Sequence, residues 1–208
     1  MDIASLRKDY SLKQLREKDV LKNPILQFEK WLQEAIDVQA QEPTAMTLST
    51  VGKDGKPSSR VVLLKGIERD GFLFFTNYES KKAKQIDENP FVALNFVWHE
   101  LERQIRIEGK IEKLSSEKSD DYFNSRPEES KISASVSPQS QVVPNRNYLE
   151  NLVKQFEKKN IRRPINWGGY IVKPNLIEFW QGRSNRLHDR ICYTKTKNET
   201  WKIERLAP

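Results

Sequence analysis

Two hydrophobic periods divide the chain. Behind an Asn23-Pro24 pair suited to a helix N-cap and first turn, Ile25, Phe28, Trp31 (or Leu32), Ala35 and Ile36 recur at helical spacing. From residue 44 the period shortens. TAMTLSTV and SSRVVLLKG flank GKDGKP, which predicts a β-hairpin, and Asp70-Gly71 makes a turn into a further strand, GFLFFT. ESKKAKQIDENP predicts a short helix with Ser80 as N-cap and Pro90 past its end. FVALNFVW has the composition of a buried strand, and RQIRIEGKIEKL alternates Ile105, Ile107 and, past Gly109, Ile111. SSEKSDDYFNSRP predicts a helix stopped by Pro127. Residues 130–147, rich in Ser, Pro, Gln and Asn, predict loop, and YLENLVKQFEKK then places Leu149, Leu152, Val153 and Phe156 on one helical face. WGGYIVK, NLIEFWQ, DRICYT and TWKIERL predict short closing strands.

Many short, mainly antiparallel strands with a few helices make an α+β protein, a β-barrel with helical decoration. Strict βαβ alternation is missing, and no Gly-rich dinucleotide or nucleotide loop occurs, so a Rossmann fold is not expected. Residues 1–20, polar and charged, read as an arm, flexible or briefly helical, ahead of a single domain over 21–208.

Composition adds a sign. Lys and Arg number 36 against 29 Asp and Glu, a net charge of +7, which favours anionic partners without choosing among phosphorylated small molecules, nucleic acid and acidic membrane. Basic residues are mixed with acidic ones and form no tail, which argues against a nucleic-acid-binding module. No apolar run is long enough to cross a bilayer, and the charged N-terminus does not resemble a signal peptide. The single cysteine, Cys192, allows no intrachain disulfide and fits a reducing compartment. A soluble cytoplasmic protein is expected.

Two histidines and one cysteine support no metal site, and adjacent His188 and Asp189 point apart on a strand, so they make no relay. Phosphate binding is better supported. Arg60 and Lys65 bracket an apolar strand, Ser80, Lys81 and Lys82 open a helix, and Tyr122 and Arg126 share a helix face one turn apart, with Ser130 just beyond. Singly, each is as readily a solvated or salt-bridged side chain. If RLHDR (186–190) is extended, Arg186, His188 and Arg190 share one cationic face.

The joint pattern carries a resemblance. RVVLLK (60–65), FFTNYESKKA (74–83), LERQ (101–104), YFNSRPEES (122–130), SPQS (137–140), EFWQG (178–182), RLHDR (186–190) and WKIERLAP (201–208) resemble, in order, the motifs of the pyridoxamine 5′-phosphate (or pyridoxine 5′-phosphate) oxidase family. RKDY (7–10) is similar to its N-terminal substrate-contacting segment. The resemblance implies a split β-barrel homodimer with two FMN sites at the subunit interface. It further implies oxidation of pyridoxamine or pyridoxine 5′-phosphate to pyridoxal 5′-phosphate by hydride transfer from substrate C4′ to flavin N5, with O₂ reoxidising the flavin to give H₂O₂.

Carried over residue by residue, the resemblance assigns FMN to Arg60, Val61, Val62, Leu63, Leu64, Lys65, Phe75, Thr76, Lys81, Lys82, Gln104, Gln139, Ser140, Trp180 and Arg190, some of them from the partner subunit. It assigns the substrate to Arg7, Lys8, Asp9, Tyr10, Lys65, Tyr122, Arg126, Ser130, Arg186, Leu187 and His188, with Arg186 and His188 catalytic beside the pyridine ring. No metal is implied. Lys81 stands where the family commonly has Arg, which keeps the charge and loses the bidentate fork. Arg60 and Lys65 are separated by an odd number of positions. They reach one site only if the strand bends, bulges or ends between them. A split-barrel flavoprotein with another reaction is the alternative.

Overall fold

The computed structural model of the chain describes residues 3, 5, 9–68, 70–156 and 161–208. Its strands are β1 (Ala45–Val51), β2 (Pro57–Leu63), β3 (Gly66–Glu68), β4 (Gly71–Asn77), β5 (Phe91–Trp98), β6 (Arg103–Lys113), β7 (Trp167–Gln181), β8 (Asp189–Lys195) and β9 (Trp201–Leu206). The helices are α1 (Pro24–Asp37), α2 (Lys81–Glu88), α3 (Ser116–Ser125), α4 (Glu128–Val136) and α5 (Arg146–Gln155). The strands form one antiparallel sheet in the order β2-β1-β5-β6-β7-β4-β3, with β8 and β9 added beside β7. This is the expected α+β architecture.

The long strand β7 creates the split. One edge of β7 pairs with β6 along its length. The other edge pairs with β4 through Val172 and with β8 from Leu176 onward. Sequence reading breaks this strand into WGGYIVK and NLIEFWQ around Pro174. The chain stays extended because Pro174, which lacks an N–H, falls between the β4 and β8 partners and opposite a register shift at Glu108/Gly109. Gly109 is needed there, since a Cβ at that position would lie 2.2 Å from the Lys173 carbonyl oxygen.

Helix α1 closes the inside of the curl. The Asn23 carboxamide accepts from the Ile25 and Leu26 N–H groups, and Phe28, fully buried, packs edge-on against Phe72 at 4.8 Å and Phe96 at 5.0 Å between ring centroids. Trp31 meets Phe179 in the same way at 5.1 Å. Ile36, expected on the buried face, is exposed, and Gln27 is buried in its stead because its carbonyl oxygen accepts the Leu21 N–H. Burial of rings of this size, at about 25 cal/mol per Å² of apolar surface, is the dominant stabilising contribution.

Two further expectations change. Residues 130–147 are not all loop: α4 runs to Val136, anchored by buried Ile132. Helix α5 forms at the expected place, with Asn145 as its N-cap, but buries none of its residues among the described ones. The segment ahead of α1 does not stand free from Asp9 onward, because Leu15 is 4% exposed and its N–H donates to Asp189. Among the described residues no helix is long and apolar enough to cross a membrane.

Candidate functional site

A cavity of about 470 Å³ opens along the free edge of β2, facing β4 and roofed by α3 and α4. It brings together Arg60, Val61, Val62, Leu63, Lys65, Phe75, Thr76, Lys82, Tyr122, Arg126 and Gln139 from the sequence-derived set. The parity conflict between Arg60 and Lys65 is resolved by strand ending: β2 stops at Leu63, and the Lys65 N–H turns to the Leu73 carbonyl. Leu64, between them, points into the core at 4% exposure.

The lining holds four cations and no carboxylate. Lys82, 9% exposed, donates to Gln139 Oε1 (2.8 Å), Thr76 Oγ1 (3.1 Å) and Ser80 Oγ (3.2 Å), all neutral acceptors. Burial, with Arg60 nearby, lowers its pKa to about 8. The Arg60 guanidinium is spread over Leu48 O, Thr50 Oγ1 and Ser58 Oγ. Arg126 lies 4.7 Å over the Trp167 ring, and its Nη1 is buried with no acceptor. Buried cations without counter-charges are costly unless an anion completes them.

One wall is aromatic. Tyr122 stacks on Phe75 at 3.8 Å between centroids, and both lie nearly parallel to Trp167. Gly169 allows this, since a Cβ there would lie 2.7 Å from the Phe75 ring. Ser80 occupies the cap position of α2, yet its hydroxyl donates to Asn77 O instead of capping. The first-turn N–H groups therefore keep no side-chain partner beside Lys82, which suits an anion. Lys81 and Ser140 face a neighbouring, more open hollow that shares Gln139. Ser130, on α4, does not line the cavity, whereas Ser133 one turn on does.

The remaining residues gather elsewhere. Gln104, Trp180 and Arg190 stand opposite one another on β6, β7 and β8, a single cross-strand row. Arg190 is held by Glu178 at 2.7 and 3.1 Å and by Ala207 O at 2.7 Å. The expected shared face of Arg186, His188 and Arg190 does not form. Arg186 precedes β8 in a 3-10 turn, where Asn185 and Arg186 both take positive φ, so alternation does not reach it. Arg186 and Leu187 are exposed, and His188 packs on Trp180 at 4.5 Å and near Tyr10 at 5.9 Å between centroids. His188 Nδ1 accepts the Arg183 N–H at 3.1 Å, which leaves the ring proton on Nε2. Burial and the neighbouring Arg186 lower its pKa, so the ring stays neutral near neutrality. Asp9 is exposed, and Arg7 and Lys8 lie outside the described residues.

The two groups sit at opposite ends of β7. Gly169 pairs with Phe75 in the cavity wall, and at about 3.3 Å per residue Trp180 is roughly 36 Å of extended chain further along the strand.

Sequence reasoning missed Trp167, Asn77, Ser133, Ala134 and Ser137 in the cavity wall, and Glu178 and Glu102 beneath the second group. The double glycine of WGGYIVK was a usable signal, since glycine inside a strand marks close approach.

A family profile described as pyridoxamine 5′-phosphate oxidase matches residues 32–160, and one described as the pyridoxine 5′-phosphate oxidase C-terminal dimerisation region matches residues 167–208. Curated relatives named pyridoxine/pyridoxamine 5′-phosphate oxidase include one from Actinobacillus succinogenes, 53% identical over all of both chains. Another, from Nostoc punctiforme, is 53% identical over 99% of this chain and 98% of its own. Among solved structures, PhzG from Burkholderia lata 383, in complex with tetrahydrophenazine-1-carboxylic acid, superposes with a TM-score of 0.89 at 29% identity, over 95% of this chain and 100% of its own. A pyridoxamine 5′-phosphate oxidase-related, FMN-binding protein of Nostoc punctiforme superposes at 0.74 with 16% identity, over 87% and 97%, and speaks for the split-barrel fold alone. By matched length and by identity, this chain belongs to the pyridoxamine 5′-phosphate oxidase family.

Proposed function

We propose that this oxidoreductase binds FMN and oxidises pyridoxine 5′-phosphate or pyridoxamine 5′-phosphate to pyridoxal 5′-phosphate, as a homodimer whose two sites are each built from both subunits. The observation that carries the reading is the cavity lining: Arg60, Lys65, Lys82 and Arg126 without a carboxylate, against the Phe75–Tyr122 stack. That donor set fits an aromatic ligand bearing phosphate.

Lys82, Lys81 and the α2 N-terminus would hold the cofactor phosphate, with Thr76, Gln139 and Ser140 at its flank. Arg60 and the β2 edge from Val61 to Leu63 would hold the ring system, with Phe75 also in contact with the cofactor. Leu64 does not line the cavity: its side chain is in the core and its N–H is bonded to the Thr44 carbonyl. Lys65, Tyr122 and Arg126 would hold the substrate phosphate, with Ser130 on the same α4 segment as Ser133. FMN held by these residues would supply the redox chemistry, as acceptor for hydride from substrate C4′ with O₂ as the final oxidant, reduced to H₂O₂.

A second copy completes the site. Val61 and Leu63 at the cavity rim, with Val97 beyond them, are exposed and would give the partner an apolar surface to cover. The row Gln104–Trp180–Arg190 would then reach the partner's cofactor, while Arg186, Leu187, His188 and the Tyr10 segment would face the partner's substrate. His188, neutral with its proton on Nε2, offers a hydrogen bond to a substrate ring oxygen. Arg186, which has no counter-charge among the described residues, would stabilise negative charge developing on the ring.

The test is a visible spectrum of the purified protein, followed by pyridoxine 5′-phosphate under anaerobic conditions. A flavin band that bleaches and returns with air is expected. A yellow protein that bleaches with neither substrate removes the substrate assignment, and a protein that takes up no FMN removes the whole reading.

A further inference from the structure

We infer that Glu102 and Gly182 are positioning residues that seat Tyr10 on the Trp180–His188 ring pair, making the N-terminal strap a fixed wall of the substrate half-site. Glu102 is 5% exposed and sits in the left-handed region at φ 54°. Its carboxylate accepts the Ser11 N–H at 2.9 Å and the Leu12 N–H at 3.1 Å. A buried carboxylate on two consecutive backbone amides fixes both the path and the direction of the chain there. It spends its charge on nothing else among the described side chains.

Gly182 is the shelf. A Cβ at this position would lie 2.8 Å from both Cβ and Cγ of Tyr10, and 3.1 Å from Cβ of Glu102. Only glycine lets the strap lie this close, and the Gly182 N–H is itself bonded to the Glu102 carbonyl at 2.8 Å. From this seat the Tyr10 ring meets Trp180 at 5.8 Å and His188 at 5.9 Å between centroids, both edge-on. Further along, Asp189 takes the Leu15 N–H and Arg205 takes the Leu15 carbonyl, so the strap is pinned on both sides of its bend. The clamp and the shelf act through different groups and converge on one ring.

The consequence for turnover rests on the function proposed above, whereas the consequence for His188 does not. The experiment therefore reads both. Protein labelled at histidine Cε1 is compared as wild type, Tyr10→Ala, Glu102→Asn and Gly182→Ala, with His188 assigned by its loss in His188→Asn. Asparagine tolerates the left-handed backbone but is too short to reach the strap amides, so the fold survives without the clamp. Both Glu102→Asn and Gly182→Ala should move the His188 signal toward its Tyr10→Ala position, and Glu102→Gln, which keeps an acceptor at full reach, should move it less. KM for pyridoxine 5′-phosphate should rise about five- to tenfold in each with kcat little changed, and Glu102→Asn should add nothing on a Tyr10→Ala background. An unmoved His188 signal in both variants, or full additivity with Tyr10→Ala, overturns the inference. A moved signal with no activity in any form, wild type included, sinks the proposed function and leaves the seat standing.

Discussion

Lys82 Nζ lies 2.8 Å from Gln139 Oε1 and has no carboxylate partner among the described residues. Its free-state pKa of about 8 makes anion capture pH-dependent. Below that value the ammonium is present before the ligand arrives. Above it, a phosphate dianion must first draw a proton back onto the amine, so affinity falls as pH rises through about 8. The phosphate itself does not titrate there, its second pKa being about 6. FMN fluorescence titrations from pH 7 upward should show affinity declining as pH passes about 8, and Lys82→Met should bind more weakly with no such decline. A decline of equal size in the variant would assign it to another group.

Arg126 offers a cleaner separation of the two ligands. Its buried Nη1 has no acceptor among the described residues, and its guanidinium lies over the Trp167 face beside Tyr122. A charge-assisted bond to phosphate contributes about 1.5–3 kcal/mol. Arg126→Met should therefore raise KM for pyridoxine 5′-phosphate on the order of tenfold to a hundredfold, with FMN affinity changed less than about threefold. Steady-state kinetics and flavin titration on one preparation decide this. A loss in FMN affinity alone would move Arg126 to the cofactor.

Glu178, 2% exposed, is held by Arg190 Nε and Nη2 and by Arg106 at 3.7 Å. Removing Arg190 leaves the buried carboxylate only the longer Arg106 contact among the described residues, a loss that stays below the roughly 3–5 kcal/mol of a fully uncompensated buried charge. Arg190→Met should lower the urea midpoint accordingly at fixed protein concentration, and adding Glu178→Gln should recover part of the loss. If the double variant is no more stable than the single one, the pair does not hold the sheet here.

The elements were legible where local rules decide. Asn23-Pro24 starts α1, and alternation in RQIRIEGKIEKL gives β6. Pro174 misled because its tolerance depends on which strands flank it, and the α4 sequence looked like loop because a single buried Ile132 outweighs its Ser-rich composition. The candidate residues came from the resemblance, and their division did not. Adjacent motifs such as EFWQG and RLHDR say nothing of the long strand that carries them away from Lys82 and Arg126. Glu102 and Glu178 look like surface charges in sequence, and only long-range partners reveal them as buried.

That division gives the last prediction. If each site takes Lys82 from one subunit and His188 from the other, a Lys82→Met chain and a His188→Asn chain are each defective in both sites as homodimers. In a mixed dimer one site receives both defects and the other receives none. Co-refolding equal amounts should give half mixed dimers, each with one intact site, so activity should return to roughly a quarter of wild type from near zero. Co-refolding either variant with itself should restore nothing. A mixture no more active than its components would place Lys82 and His188 in the same subunit's site, against the separation of the two groups along β7.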